Sequence, residues 1–230
     1  MMDKLKFENH IASVFDEELE EIRNDLMAMG GQVEQQLTDA VQAICEADSQ
    51  LAEQVIQRDH RVDEMELEID EACVLVIARR QPAASDLRLV VAVTRAVADL
   101  ERIGDEAKKI AKHALELTES GPSPMGYSEV RHLAQSVSQI LRNALDSFAR
   151  FDADTALATM QEDKKIDMEY KTALRELVTY MMEDPRSISR VINILWVVRS
   201  LERIGDHAKN LCEQVVFVVK GKDIRHRNGQ

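Results

Sequence analysis

Apolar residues recur along this chain at steps of three, four and seven, the spacing of one face of an α-helix rather than of a strand. Val93, Val97, Leu100, Ala107 and Ala111 form one such stripe, and Ile194, Val198, Leu201, Ala208 and Cys212 form another. A third runs through Ala156, Met160, Tyr170, Leu174, Leu177 and Met181. The periodicity breaks at turn-forming residues: at Pro82, at Pro185 and, near mid-chain, at Gly121, Pro122, Ser123, Pro124 and Gly126. Together these signals predict six helices, over residues 8–46, 49–80, 85–118, 127–151, 154–183 and 187–220. Asp48 or Ser49 is the expected cap of the second helix, Ser85 of the third and Asp152 or Asp154 of the fifth, because short polar side chains satisfy the free N–H groups of a first turn.

Long helices with short connections pack antiparallel. The expected fold class is therefore all-α, with two tandem three-helix bundles at residues 1–120 and 127–220 and a flexible tail at 221–230. An aromatic content of only 4% fits helix better than sheet. Gly30 and Gly31 interrupt the first helix and predict a kink or a close helix contact there. Trp196, at helical spacing, is expected to anchor the core or the contact between bundles.

The two bundles are copies of one unit. Leu100-Glu101-Arg102-Ile103-Gly104-Asp105-Glu106-Ala107-Lys108 matches Leu201-Glu202-Arg203-Ile204-Gly205-Asp206-His207-Ala208-Lys209 at every position but one. Upstream of each copy stands a second pair of acids four residues apart, Asp59 with Asp63 and Asp163 with Asp167. Asp63 precedes Glu101 by 38 residues and Asp167 precedes Glu202 by 35, a difference that the turns at Pro82 and Pro185 can absorb. Four-residue spacing puts both acids of a pair on one helix face, and two such helices lying antiparallel bring four carboxylates together.

Solvated acids four apart are common on helices, but here the pairs are duplicated, and Asp163 and Asp167 cut into an apolar stripe. Like charges so placed call for a positive partner. Arg102, Arg203, Lys108, Lys209 and Lys164 are near in sequence, and a bound cation is the other source. Oxygen-only ligands suit hard ions such as Mg²⁺, Ca²⁺, Mn²⁺ or ferric iron, without excluding Zn²⁺. The candidate metal ligands are Asp59, Asp63, Glu101, Asp105, Asp163, Asp167, Glu202 and Asp206. Gly104 and Gly205 lie between the acids and allow a neighbouring helix to approach.

Charge narrows the partners. Lys and Arg total 29 against 42 Asp and Glu, a net charge of −13 that repels nucleic acid. Cys45, Cys73 and Cys212 form no CxxC and read as small apolar residues of a reducing compartment. No run approaches the ~18 apolar residues that cross a bilayer, and no leader pattern opens the chain, so the expected location is the cytoplasm, with membrane contact only through partners. Arg79 and Arg80 suit either an acidic partner surface or the end of their own helix.

With its two ERIGD segments and upstream Asp-xxx-Asp pairs, the chain resembles the PhoU family of phosphate-uptake regulators. The likeness extends to Met29-Gly30-Gly31-Gln32-Val33-Glu34-Gln35-Gln36-Leu37, to Ala78-Arg79-Arg80-Gln81-Pro82 and to Ser85-Asp86-Leu87-Arg88. The second copy departs from it at the turn, reading Glu183-Asp184-Pro185-Arg186-Ser187. The resemblance implies two duplicated three-helix bundles whose E(D)xxxD pairs hold metal clusters, iron among them. It further implies a homodimeric, non-enzymatic negative regulator of the phosphate-starvation response. Such a regulator limits phosphate uptake and links the ATPase subunit of a phosphate ABC transporter to a sensor histidine kinase. The alternative is a carboxylate-bridged metalloenzyme or a metal-storage bundle. Di-metal oxidases of that kind add a Glu-x-x-His from each of two helices, and histidine is absent from the corresponding positions here; no P-loop, GxSxG or CxxC is present either.

Overall fold

A computed structural model describes residues 2–119, 121 and 127–224, with side chains from residue 14 onward. Six α-helices follow one another: α1 (Met2–Glu46), α2 (Ser49–Arg80), α3 (Ala84–Glu119), α4 (Tyr127–Arg150), α5 (Ala153–Glu183) and α6 (Ile188–Lys220). A one-turn 3-10 helix, Pro185–Ser187, precedes α6. The expected elements are all present, and α1 begins at Met2 rather than at residue 8. Asp48 caps α2 by accepting from the Leu51 amide at 2.9 Å, and Asp152 caps α5 by accepting from Asp154 and Thr155. Ser85 does not cap α3. The helix already starts at Ala84, and the Ser85 hydroxyl donates to Asp86 instead.

Each half is an antiparallel three-helix bundle, but the most extensive helix contact in the molecule joins the halves, α3 against α6. These two run antiparallel along their length. Arg190 near the start of α6 donates to the carbonyls of Leu117, in the last turn of α3, and of Gly121 just beyond it, and Gly221 at the end of α6 packs by Arg88 near the start of α3. One continuous apolar core runs through both bundles. The second crossing between halves, α1 on α4, is close because Gly30 lacks a side chain: a Cβ there would lie 2.5 Å from Leu145 Cδ2. Gly31 faces open space, so of the two glycines only Gly30 has a packing reason.

A further expectation fails. Trp196 is 56% exposed, and so in part are Ile188 and Ile192, eight and four residues before it on α6, so this stripe of α6 faces outward. The first residues of the tail are held against the bundle: Ile224 packs on the core and the Asp223 carboxylate lies 4.0 Å from Arg95. Residues 122–126 of the mid-chain break and 225–230 of the tail lie outside the described residues.

Candidate metal centre on the flanks of the two repeats

Gly104 and Gly205 set how the acids meet. A Cβ on Gly104 would sit 3.3 Å from Asp59 Oδ1, and one on Gly205 would sit 3.1 Å from Ile166 Cδ1, so α2 lies tightly on α3 and α5 on α6 at these points. That contact fixes the antiparallel register and places Asp63 opposite Glu101 and Asp105, and Asp167 opposite Glu202 and Asp206.

Each set of four divides into one inner acid and three flank acids. Asp59 is 1% exposed and Asp163 5%, so both occupy core positions of their helices. Each is neutralised by the lysine that ends the repeated segment: Lys108 Nζ donates to Asp59 at 2.6 Å and Lys209 Nζ to Asp163 at 2.7 Å. The Lys108 bond to Asp59 holds that ammonium above its usual pKa. For Lys209 burial works the other way, yet Asp163 outweighs it and the net shift is upward. Lys108 also lies 4.0 Å from Asp105, within reach of the flank. Of the other cations near in sequence, Arg203 reaches across to Glu106 on α3 at 2.7 Å and Lys164 donates to Gln161.

The flank acids repel one another. Partial burial raises the pKa of Glu101, and the charges of Asp105, Glu66 and Asp63 raise it further. Glu66 is raised by burial and then by Asp70, Asp63 and Asp105, although Arg102 opposes the effect on both glutamates. In the second half burial raises Glu202, helped by Asp206 and Asp167 and opposed by Arg199, which donates to Glu202 Oε1 at 3.1 Å. Asp206 is raised by desolvation and by Asp163 although its carboxylate is the most open of its set. Glu66 and Asp70 were missed in the sequence, yet they stand four residues apart on α2 and carry the same signal as the pairs that were chosen.

The donor set fits a hard cation in its chemistry. It is all carboxylate, its flank members share unfavourable charge, and one of its oxygens, Glu202 Oε2, is sealed from solvent with no hydrogen-bond donor. Among the described residues no three His, Cys, Asp or Glu side chains already converge on one point. Holding an ion therefore requires the flank side chains to rotate toward it, which their half-exposed positions permit; Asp63 and Asp105 are 48% and 45% exposed.

Of the histidines, His60 reaches the first flank, its Nδ1 lying 3.8 Å from Asp63. His207, at the one position where the repeated segments differ, pairs through Nδ1 with buried Asp99 at 2.9 Å across the α3–α6 contact, and Asn210 donates to the same oxygen. His132 does follow Glu129 by three residues, the oxidase spacing, but this pair faces α5 beside Glu169 and Glu176, away from the ERIGD flanks. Arg80 is bound to Glu18 through two bonds of 2.8 Å, which ties α2 to α1, while Arg79 is exposed. Cys73 and Cys212 are buried free thiols, and burial pushes Cys212 up to about 12, which leaves it unreactive at neutral pH. Among the described residues no helix is long and apolar enough to cross a membrane.

Comparison with known proteins agrees with this architecture. The PhoU domain model matches twice, at residues 26–114 and 130–215, once in each half. The chain is 60% identical over 98% of its length to the phosphate-specific transport system accessory protein PhoU homolog of Pseudomonas putida, covering 88% of that protein. It is 50% identical over 99% of its length to the accessory protein PhoU of Escherichia coli K12, covering 94% of it. The crystal structure of PhoU from Pseudomonas aeruginosa superposes with a TM-score of 0.88 at 60% identity, covering 90% of this chain and 100% of that one. The phosphate transport system regulatory protein PhoU from Streptococcus pneumoniae superposes at 0.84 with 29% identity, covering 91% and 98% of the two chains. Duplicated bundles, paired ERIGD helices and full-length identity lead to one conclusion: the chain belongs to the PhoU family of phosphate transport accessory proteins.

Proposed function

We propose that this protein is a non-enzymatic, cytoplasmic negative regulator of the phosphate-starvation response. In this reading it limits phosphate uptake by acting as an adaptor between the ATPase subunit of a phosphate ABC transporter and its sensor histidine kinase, and it works as a homodimer. The observation that carries the reading is identity of 60% sustained over 98% of the chain with a protein named for the phosphate-specific transport system. Carboxylates buried against lysine, with no nucleophile–base pair beside them among the described residues, suit a scaffold better than a catalyst.

The flank acids Asp63, Glu101, Asp105, Asp167, Glu202 and Asp206 would hold the metal, with Asp59 and Asp163 behind them. A bound hard cation would supply positive charge that relieves the repulsion among the carboxylates. The protein's own part is to position those carboxylates through the close contacts at Gly104 and Gly205, and to keep two lysines as resident counter-charges.

Two experiments test the reading. Deleting the gene in its host should derepress a phosphate-starvation reporter in phosphate-rich medium, and complementation should restore repression; an unchanged reporter would refute the regulatory role. Affinity capture with the purified ATPase subunit and the kinase's cytoplasmic part tests the adaptor. Metal analysis of the wild type against a variant with Glu101, Asp105, Glu202 and Asp206 changed to Ala tests the metal sites, through loss of stoichiometric metal.

A further inference from the structure

The side of α6 that carries Trp196 has a copy on α3. The offset of 101 residues that relates Leu100 to Leu201 also relates Leu87, Val91, Arg95, Ala98 and Arg102 to Ile188, Ile192, Trp196, Arg199 and Arg203. Steps of three and four place each set along one side of its helix. On α3 the chain covers part of this side itself. The Arg95 guanidinium lies 5.3 Å from the centre of the Phe217 ring and 4.0 Å from the Asp223 carboxylate, and Gly221 packs by Arg88. An aromatic ring and a carboxylate from the end of the chain thus answer the cation. On α6 the equivalent apolar positions stay open: Ile188, Ile192 and Trp196 are all exposed, and Arg199 and Arg203 beyond them are each about half-exposed.

We propose that the α6 stripe from Ile188 to Arg203 is a docking surface for an acidic segment of a partner protein, which sets apolar side chains on Ile192 and Trp196 and carboxylates on Arg199 and Arg203. A contiguous apolar patch bordered by charged residues marks a protein contact, and tryptophan beside arginine is the composition of an energetic centre of such contacts. Charge selects the partner. The chain as a whole carries −13, which repels an acidic segment over most of the surface. On this stripe the cations exceed the groups that hold them. The single oxygen Glu106 Oε1 takes both Arg203 at 2.7 Å and Lys109 at 3.0 Å, and Glu106 is itself buried, so a positive charge is left over at the surface. Arg199 meets Glu202 at 3.1 Å and lies over the Tyr170 ring, with donors of its planar fork to spare for an incoming carboxylate. Asp206, exposed three residues beyond Arg203, bounds the stripe. The occupant therefore repeats on α6 what Phe217 and Asp223 do on α3, an apolar and an anionic group laid side by side on the same face of the repeat.

This inference rests on the adaptor reading above, and one set of binding measurements separates the two. The full-length protein and three variants, Trp196→Ala, Arg199→Glu and Leu67→Ala, are titrated by biolayer interferometry against the purified ATPase subunit and against the kinase's cytoplasmic part. Circular dichroism checks that each variant folds. Leu67, 70% exposed on α2, is an apolar control away from α6. The inference expects Trp196→Ala and Arg199→Glu each to weaken binding of the same partner by about 30-fold, the scale of an interface hot spot. Arg199→Glu should also flatten the salt dependence of that binding, and Leu67→Ala should change nothing. Wild-type affinity for both partners in the two α6 variants, or an equal loss in Leu67→Ala, would overturn the inference while leaving the adaptor reading intact. Loss of self-association in Trp196→Ala with partner binding unchanged would assign the stripe to a second copy of this chain and overturn it as well. No binding of either partner by the wild type would overturn both.

Discussion

The interior of the first half and that of the second solve the same packing problem with different chemistry. Both place an aspartate against a glycine and a lysine, Asp59 with Gly104 and Lys108, and Asp163 with Gly205 and Lys209. Around the first, Val62 and Gln36 complete the contact; around the second, Ile166 fills the space that a Cβ on Gly205 would take, and Ile140 stands in for Gln36. Both Ile166 and Ile140 are at most 2% exposed. At this contact the two copies differ by a buried amide in one and a buried alkyl group in the other, while the repeated segment differs at a single position. Identity of a motif therefore does not make two sites equal when the residues behind it differ.

The largest effect should come from the buried pairs. Changing Lys108 to Met leaves the Asp59 carboxylate charged and uncompensated in the core, and should cost about 3 kcal/mol in urea unfolding at pH 7. Lys209→Met should cost less, since Asp163 is slightly more open. Equal losses would mean that the difference in exposure between Asp59 and Asp163 has no energetic consequence.

A smaller difference separates the adjacent glycines of α1. Gly30→Ala pushes a methyl into Leu145 across the contact between halves, and should destabilise by about 1–2 kcal/mol after the gain in helix propensity is set against the clash. Gly31→Ala meets nothing and should stabilise by about 0.5–1 kcal/mol. Thermal unfolding of the two variants should move in opposite directions.

Importing the second half's chemistry into the first comes next. Gln36→Met removes two unsatisfied buried groups with little change of volume and should stabilise by about 1 kcal/mol. No gain in the denaturation midpoint would mean that the Gln36 amide has a hydrogen-bond partner in solution.

The smallest effect is a pH dependence. Glu66, Glu101, Glu202 and Asp206 all have folded-state pKa values above their ordinary ones. Such groups bind protons more readily in the folded chain, so their unfavourable contribution disappears as pH falls through the raised values and is fully gone below the ordinary carboxylate range. Metal-free protein should therefore become more stable from pH 7 down toward about 5, where the ordinary carboxylate range is approached. Glu101→Gln and Glu202→Gln should each flatten that rise.

Much of this was legible in the residues alone. The six helices follow from periodicity and turn residues, and their ends agree closely because capping is local: Asp48 and Asp152 accept from amides two or three positions away. Ser85 misled because the chain turns into α3 one residue earlier, with Ala84 in the left-handed region. Glu66 and Asp70 are not singled out by the duplication, because the second copy has Tyr170 and Leu174 at the corresponding positions.

The sequence by itself determined the helices, the duplication and the pairing of acids on common faces, since all three depend on spacing along the chain. Tertiary structure decided which side of each face is covered. It buried Asp59 and Asp163 against lysines while leaving their partners on the flank. It enclosed Asp99 and Glu106 between α3 and α6, where Asn210, His207, Arg203 and Lys109 answer them, and it left Trp196 outside. The physical reason is that a helix's periodicity fixes the direction of each side chain only relative to its own axis. Its environment depends on how many neighbours pack around that axis, and α3, in contact with α1, α2 and α6, has little surface left for its polar residues to face water.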